Sequence, residues 1–233
     1  MPQPKAVIRF ALLWMVIYAP LAFLPSVWPA WKHTYAAMFR TGGNVLFSQF
    51  WVWPQASVRF LDLSSSTLVA DIDAVLPAKL PAGFKPPTPN REQDTLLVLQ
   101  NRNARGAIGM LRTGTHMMGY GPTTVLVALL LATQVRWSRR GWSLVWGLLG
   151  IHLLIAVRLT VLVTNSGFAA AGKKYALFHP GPLARSLLAR ADEVVADNPT
   201  FAYVAPVCLW LLILLGFRAW QRRSALPAGR LSE

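Results

Sequence analysis

The sequence predicts an α-helical integral membrane protein with about four transmembrane helices and a small extracytoplasmic β-containing domain between helices 1 and 2. Three observations carry that expectation. The chain is 54% hydrophobic and only 14% charged, whereas a soluble domain is about 45–50% apolar and roughly 25% charged. Its mean hydropathy is +0.40. Short Arg clusters abut its apolar runs: Arg136, Arg139 and Arg140 after the second, and Arg218, Arg222 and Arg223 at the end of the fourth.

The formal charge of +14 is compatible with nucleic acid, anionic lipid or membrane topology as its cause. Placement decides for topology, because Lys and Arg beside apolar runs resist translocation. No basic stripe is interleaved with exposed aromatics, so membrane lipid is the expected partner and nucleic acid is not. Cys208 is the single cysteine of the chain, which rules out an internal disulfide. No Cys/His metal spacing, phosphate-cradling glycine loop or nucleophile elbow is present, so neither metal nor cofactor is expected.

The first apolar run extends from Val7 to about Trp31. It exceeds the roughly 7–15 residues of a secretory h-region and reads as an uncleaved signal-anchor helix over residues 1–31. Pro20, Pro25 and Pro29 predict an imperfect outer end. Residues 32–114 hold most of the acidic side chains and a proline-rich stretch, Lys79–Pro89. Alternation in Ser57-Val58-Arg59-Phe60 suggests a strand, although Leu61 and Leu63 then fall on the opposite face and Asp62 on the apolar one. Thr95–Gln100 and Ala107–Arg112 flank Asn101–Gly106, a hairpin signature.

Residues 115–220 form a three-helix membrane region. Its first run, Thr123–Val135, is short against the roughly 20 residues a span needs. Its helix is therefore expected to start near His116, with Pro122 in its first turns. Trp142–Val163 is long enough, and the last run covers Pro199–Trp220 with Asn198 as its expected N-cap. Between them, residues 181–197 place Leu183, Leu187, Leu188, Val194 and Val195 at helical spacing. That pattern fits an amphipathic helix on the membrane surface or one packed on its own domain. A cytoplasmic tail, 221–233, closes the chain. The basic loop and tail put both termini inside, with 32–114 and 165–198 extracytoplasmic. The expected location is the inner (cytoplasmic) membrane of a bacterium.

Arg158 is the sharpest signal. It stands inside Leu153–Val163, where a cation costs about 2.5–3.5 kcal/mol to insert and usually faces protein or water. His179, in Phe178-His179-Pro180, stands where the amphipathic segment begins and could meet Arg158. His116, Tyr120 and Thr124, spaced four apart, line one helix face if the helix starts early enough. His152 is set to hydrogen-bond a neighbouring helix.

The segment from Gly114 to Phe217 resembles the exosortase/archaeosortase family of membrane transpeptidases. An apolar helix, Val125–Thr133, ends at the basic turn Arg139-Arg140. A second helix follows and carries Arg158 near its outer end. A loop with Gly167 and Ala169–Ala171 leads to His179, and a last helix closes the bundle. The resemblance covers under half the chain. In the family the Arg and His serve a Cys nucleophile, but the corresponding stretch here is Gly114-Thr115-His116-Met117-Met118-Gly119-Tyr120, without a Cys. The resemblance thus implies a relative or associate without the nucleophile. It would be a non-catalytic accessory of an envelope protein-sorting system, holding an exosortase or its sorted client at the outer face. The alternative is an active membrane peptidase or transferase using His179, Arg158 and a non-Cys nucleophile such as Thr115 or Tyr120.

Overall fold

The structure is a computed structural model that describes residues 4–48, 56–75, 87–88, 93–101, 108–133, 137–169, 180–196, 198 and 200–224. It is mostly helical, with a small three-stranded sheet. Among the described residues, two helices are long and apolar enough to cross a membrane: α1 (Pro4–Val27) and α5 (Trp137–Ala169). Two shorter apolar helices pack with them, α4 (Gly121–Ala132, preceded by a π turn at His116–Tyr120) and α7 (Phe201–Ser224).

Helix α4 holds the centre of the bundle, against α1, α5 and α7. It is apolar on every side, and such a helix has no face to give to water. Val125, Leu126, Ala128, Leu129, Leu130 and Ala132 are all buried. The surrounding helices are apolar outside as well: Val16 on α1 is 68% exposed, Leu153 on α5 64% and Leu212 on α7 66%. Helix α7 begins at Phe201, later than the expected Pro199, and Asn198 stands just before it, its Oδ1 accepting the Thr200 N–H at 2.9 Å.

Helix α2 (Pro29–Phe47) follows α1 after a break at Trp28, with Pro29 at its first position. The sequence-based boundary at residue 31 thus falls inside a helix. Tyr35, Ala36, Phe39, Arg40, Gly43, Asn44 and Phe47, at three- and four-residue spacing, form its inward face. That face is wedged between the bundle and strand β1 (Ala56–Asp62).

Strands β1, β2 (Thr95–Asn101) and β3 (Ile108–Thr113) make an antiparallel meander in that order. The expected hairpin is present, with Leu97 opposite Leu111. Its turn lies outside the described residues, as do most of Lys79–Pro89. Phe60, Val58, Leu97 and Leu99 face α2 and join one apolar core with Leu126, Ile151, Ile155 and Leu159 of the bundle. The opposite face, Leu96 and Val98, is covered by Leu63 and by Leu68 and Ile72 of helix α3 (Leu68–Val75).

Asp62 lies on the α2 side, and Arg40 reaches it at 2.6 Å. Burial opposes its charge, but hydrogen bonds from the Ser64 hydroxyl and N–H and the nearby Arg40 outweigh burial. They hold the carboxyl below the usual carboxylate range. Such a group adds stability that is full above its unfolded pKa of about 3.9 and is lost as pH falls through the folded value. Asp62→Asn is expected to cost about 1 kcal/mol at neutral pH, discounted for partial exposure. That penalty should shrink as pH falls through the folded value of the wild-type carboxyl, below which the carboxyl is protonated. Unfolding in detergent across an acid titration checks this, and a penalty that stays constant on acidification would exclude a charge-based role.

Asn44 closes the outer edge of β1. Its Oδ1 accepts the Phe60 N–H at 2.8 Å and its Nδ2 donates to the Phe60 carbonyl at 3.0 Å. The side-chain amide thereby stands in for a neighbouring strand's peptide group on an exposed edge.

The amphipathic segment is a helix, α6 (Pro182–Ala191), ending in a π turn at Asp192–Ala196. None of the α6 side chains is buried, and Leu183, Leu187 and Val194 stand exposed. A hydrogen bond from Asn165 to Asp192 ties the π turn to α5.

Candidate functional site

Arg158, His116, Tyr120, Thr124 and Thr115 lie at the sheet-side end of the bundle, where the π turn opens α4. His179 lies outside the described residues, so its expected meeting with Arg158 has no described geometry.

The π turn sets the chemistry. The Gly121 N–H donates to the His116 carbonyl, five residues back instead of four. In that register the next donor, for the Met117 carbonyl, belongs to residue 122, which is a proline without an N–H. Arg158 fills the gap: its Nη1 approaches the Met117 oxygen at 3.5 Å. Its side chain is 6% exposed and is surrounded by Met118, Pro122, Ile151, Leu154, Ile155, Phe201 and Ala202. Among the described residues, the space beside Arg158 is small and apolar, about 10 Å³.

Tyr120 does the same for α1. Pro25 deprives the Leu21 carbonyl of its donor four residues on, and the Tyr120 hydroxyl donates to that oxygen at 2.5 Å. Tyr120 is buried, and the Tyr35 ring meets it edge-on with centroids 5.1 Å apart. Gly119 lets Tyr35 pack close to the turn: a Cβ there would lie 2.6 Å from the Tyr35 hydroxyl.

The stripe His116–Tyr120–Thr124 does not open together onto one space. His116 is exposed, its ring 5.6 Å from that of Tyr120. Thr124 is buried and turns its hydroxyl back to the Gly121 carbonyl at 2.8 Å. Thr115 was read only as an alternative nucleophile. Its N–H and hydroxyl both donate to the carboxylate of Asp94, at 3.0 and 2.5 Å, and it is 3% exposed. Asp94 therefore caps the start of this helix from the end of the sheet, where a carboxylate also suits the helix dipole. Sequence reasoning missed Asp94, and only its position ahead of a strand and 21 residues before Thr115 hinted at it.

His152 was expected to bond a neighbouring helix. It bonds its own turn instead: Nδ1 lies 2.7 Å from the Leu148 carbonyl, and the ring is exposed beside a groove between α2 and α5. Cys208 is exposed on α7.

Comparison with protein families, with curated proteins and with solved structures finds no match to this chain.

Proposed function

We propose that this chain is an integral protein of a bacterial inner membrane, with α1, α4, α5 and α7 as its four spans. In this reading the sheet, α2, α3 and α6 sit on the outer face and both termini are cytoplasmic. Support comes from the apolar outer faces of α1, α5 and α7 and from the basic residues at the far end of the bundle, Arg139, Arg140, Arg218, Arg222 and Arg223. The uncovered leucines of α6 suit the headgroup boundary.

Within that setting the protein acts as a non-catalytic accessory of an exosortase-like envelope protein-sorting system. It holds the sorting enzyme or its client at the outer boundary. One observation carries this: Arg158, Tyr120, Thr124 and Thr115 at the sheet-side end are committed to the protein's own backbone and caps. Arg158 and Tyr120 serve carbonyls that prolines leave open, and Thr124 serves its own turn. A hydroxyl nucleophile needs a base within about 2.6–3.2 Å and access to substrate. Thr115 meets the first condition through Asp94 but is closed off from the second. That one hydroxyl–carboxylate contact favours the second reading, an exosortase-like peptidase without a Cys.

The two separate on a single comparison. Purified protein in liposomes, mixed with membrane-anchored clients co-purified from native membranes, is expected to bind without cleaving. Turnover that Thr115→Val or His179→Ala abolishes while binding persists would replace the accessory reading with the enzyme.

A further inference from the structure

We infer that α2 lies half-sunk in the outer leaflet, with Trp31, Met38 and Val45 turned to phospholipid as an in-plane membrane contact beside the spans. This rests on the membrane reading above and adds to it a lipid-binding surface outside the bundle. Trp31, Met38 and Val45 recur every seven residues along α2 and stand exposed, so they share one stripe. Ala36, Gly43 and Phe47, the buried residues of the helix, lie on another side. Exposed Lys32 borders the stripe on one flank, and exposed Thr34 and Thr41 border it on the other. An apolar stripe between polar flanks is the pattern of a helix lying in the plane of a membrane interface.

The contacts of α2 set its depth. Only Trp28 separates the end of α1 at Val27 from the start of α2 at Pro29, so α2 starts where that span leaves the membrane. From there it does not climb into water. Tyr35 meets Tyr120 edge-on with ring centroids 5.1 Å apart, and the Tyr120 hydroxyl donates to the Leu21 carbonyl. Leu21 lies six residues before the end of α1, about 9 Å back along the helix axis. An interfacial helix sinks its apolar face by roughly 5–10 Å. Trp28 and Trp31 stack at the head of α2 with centroids 6.2 Å apart, and Trp rings favour the headgroup level. Met38 also borders the same groove as His152 and Ala156 of α5. The stripe thus continues into the face that α5, as a span, turns to lipid.

The test uses the full chain with Cys208→Ser, which removes its single native cysteine, in vesicles of phosphatidylethanolamine and phosphatidylglycerol. One nitroxide-labelled cysteine is introduced at a time. Met38→Cys probes the stripe, Leu212→Cys the outer surface of α7 and Asp73→Cys the water side of α3; all three native side chains are exposed. Relaxation of the label by oxygen, which concentrates in lipid, is compared with relaxation by a water-soluble nickel chelate. The Met38 label should favour oxygen several-fold, as at Leu212, and the Asp73 label should favour nickel. A Met38 label that matches Asp73 would overturn the inference and lift α2 clear of the membrane. A Met38 label shielded from both reagents would overturn it too, leaving the stripe to a second copy or a partner protein. With Leu212 in lipid, either result leaves the membrane reading standing. A Leu212 label that favours nickel removes that reading and the inference with it.

Discussion

Arg158→Ala should destabilise the bundle by about 2–3 kcal/mol, the cost of removing a charged donor from a buried acceptor together with its packed stem. The Met117 carbonyl lacks a backbone donor because residue 122 is a proline within a π turn. Pro122→Ala supplies that N–H if the turn keeps its register; if the turn relaxes to an ordinary helix, the Gly121 N–H serves the Met117 carbonyl instead. In that background Arg158→Ala should cost about half as much, giving a coupling of roughly 1 kcal/mol in a double-mutant cycle. Thermal unfolding of the four proteins in detergent measures it. Strict additivity would mean that Arg158 does not serve the proline-opened carbonyl. It would return the residue to the list of groups kept for chemistry.

A larger loss is expected at Phe60. Its ring is 2% exposed and meets Phe39 at 6.0 Å and Phe47 at 5.7 Å between centroids. It also fills the space over Gly43, where any Cβ would come within 2.8 Å of it. Phe60 is thus the bolt between the sheet and α2. Phe60→Ala removes an aromatic from a closed core and should cost about 3–5 kcal/mol. Because the same core runs on into α5, the sheet should loosen from the bundle before the bundle itself melts. Limited proteolysis should then cut the 56–113 region while the apolar helices stay intact. A single cooperative transition with unchanged protease resistance would show that the sheet is held elsewhere.

How much of this was legible depended on whether the deciding partner lies near in sequence. The hairpin Thr95–Thr113 could be read because two short runs flanking a polar, glycine-containing turn are a local signal. Strand β1 gave a mixed signal for a physical reason: the sheet is buried on both faces. Leu61 and Leu63 serve α3 while Phe60 serves α2. Asp62, which spoiled the pattern, is answered by Arg40, 22 residues away. Helix α2 went unread because Lys32, Arg40 and its glycines mask an inward face that shows only as a three- and four-residue spacing. At the site, Arg158 announced itself by the cost of its charge. Its partner did not, because the partner is a backbone oxygen whose availability depends on a π register that no side-chain pattern encodes. His116, Tyr120 and Thr124 were correctly placed on one helix, but burial parts them.

The bond from Tyr120 to Leu21 also sets a clock. The two residues are 99 positions apart, which is about 5–20 s of synthesis at 5–20 residues per second. On the membrane reading, α1 enters the bilayer first and waits that long with an open carbonyl in its outer half, a group that lipid cannot satisfy. A newborn chain halted before residue 120 should therefore stay beside the insertion machinery instead of diffusing away. Release of α1 becomes a late event, timed by the arrival of α4.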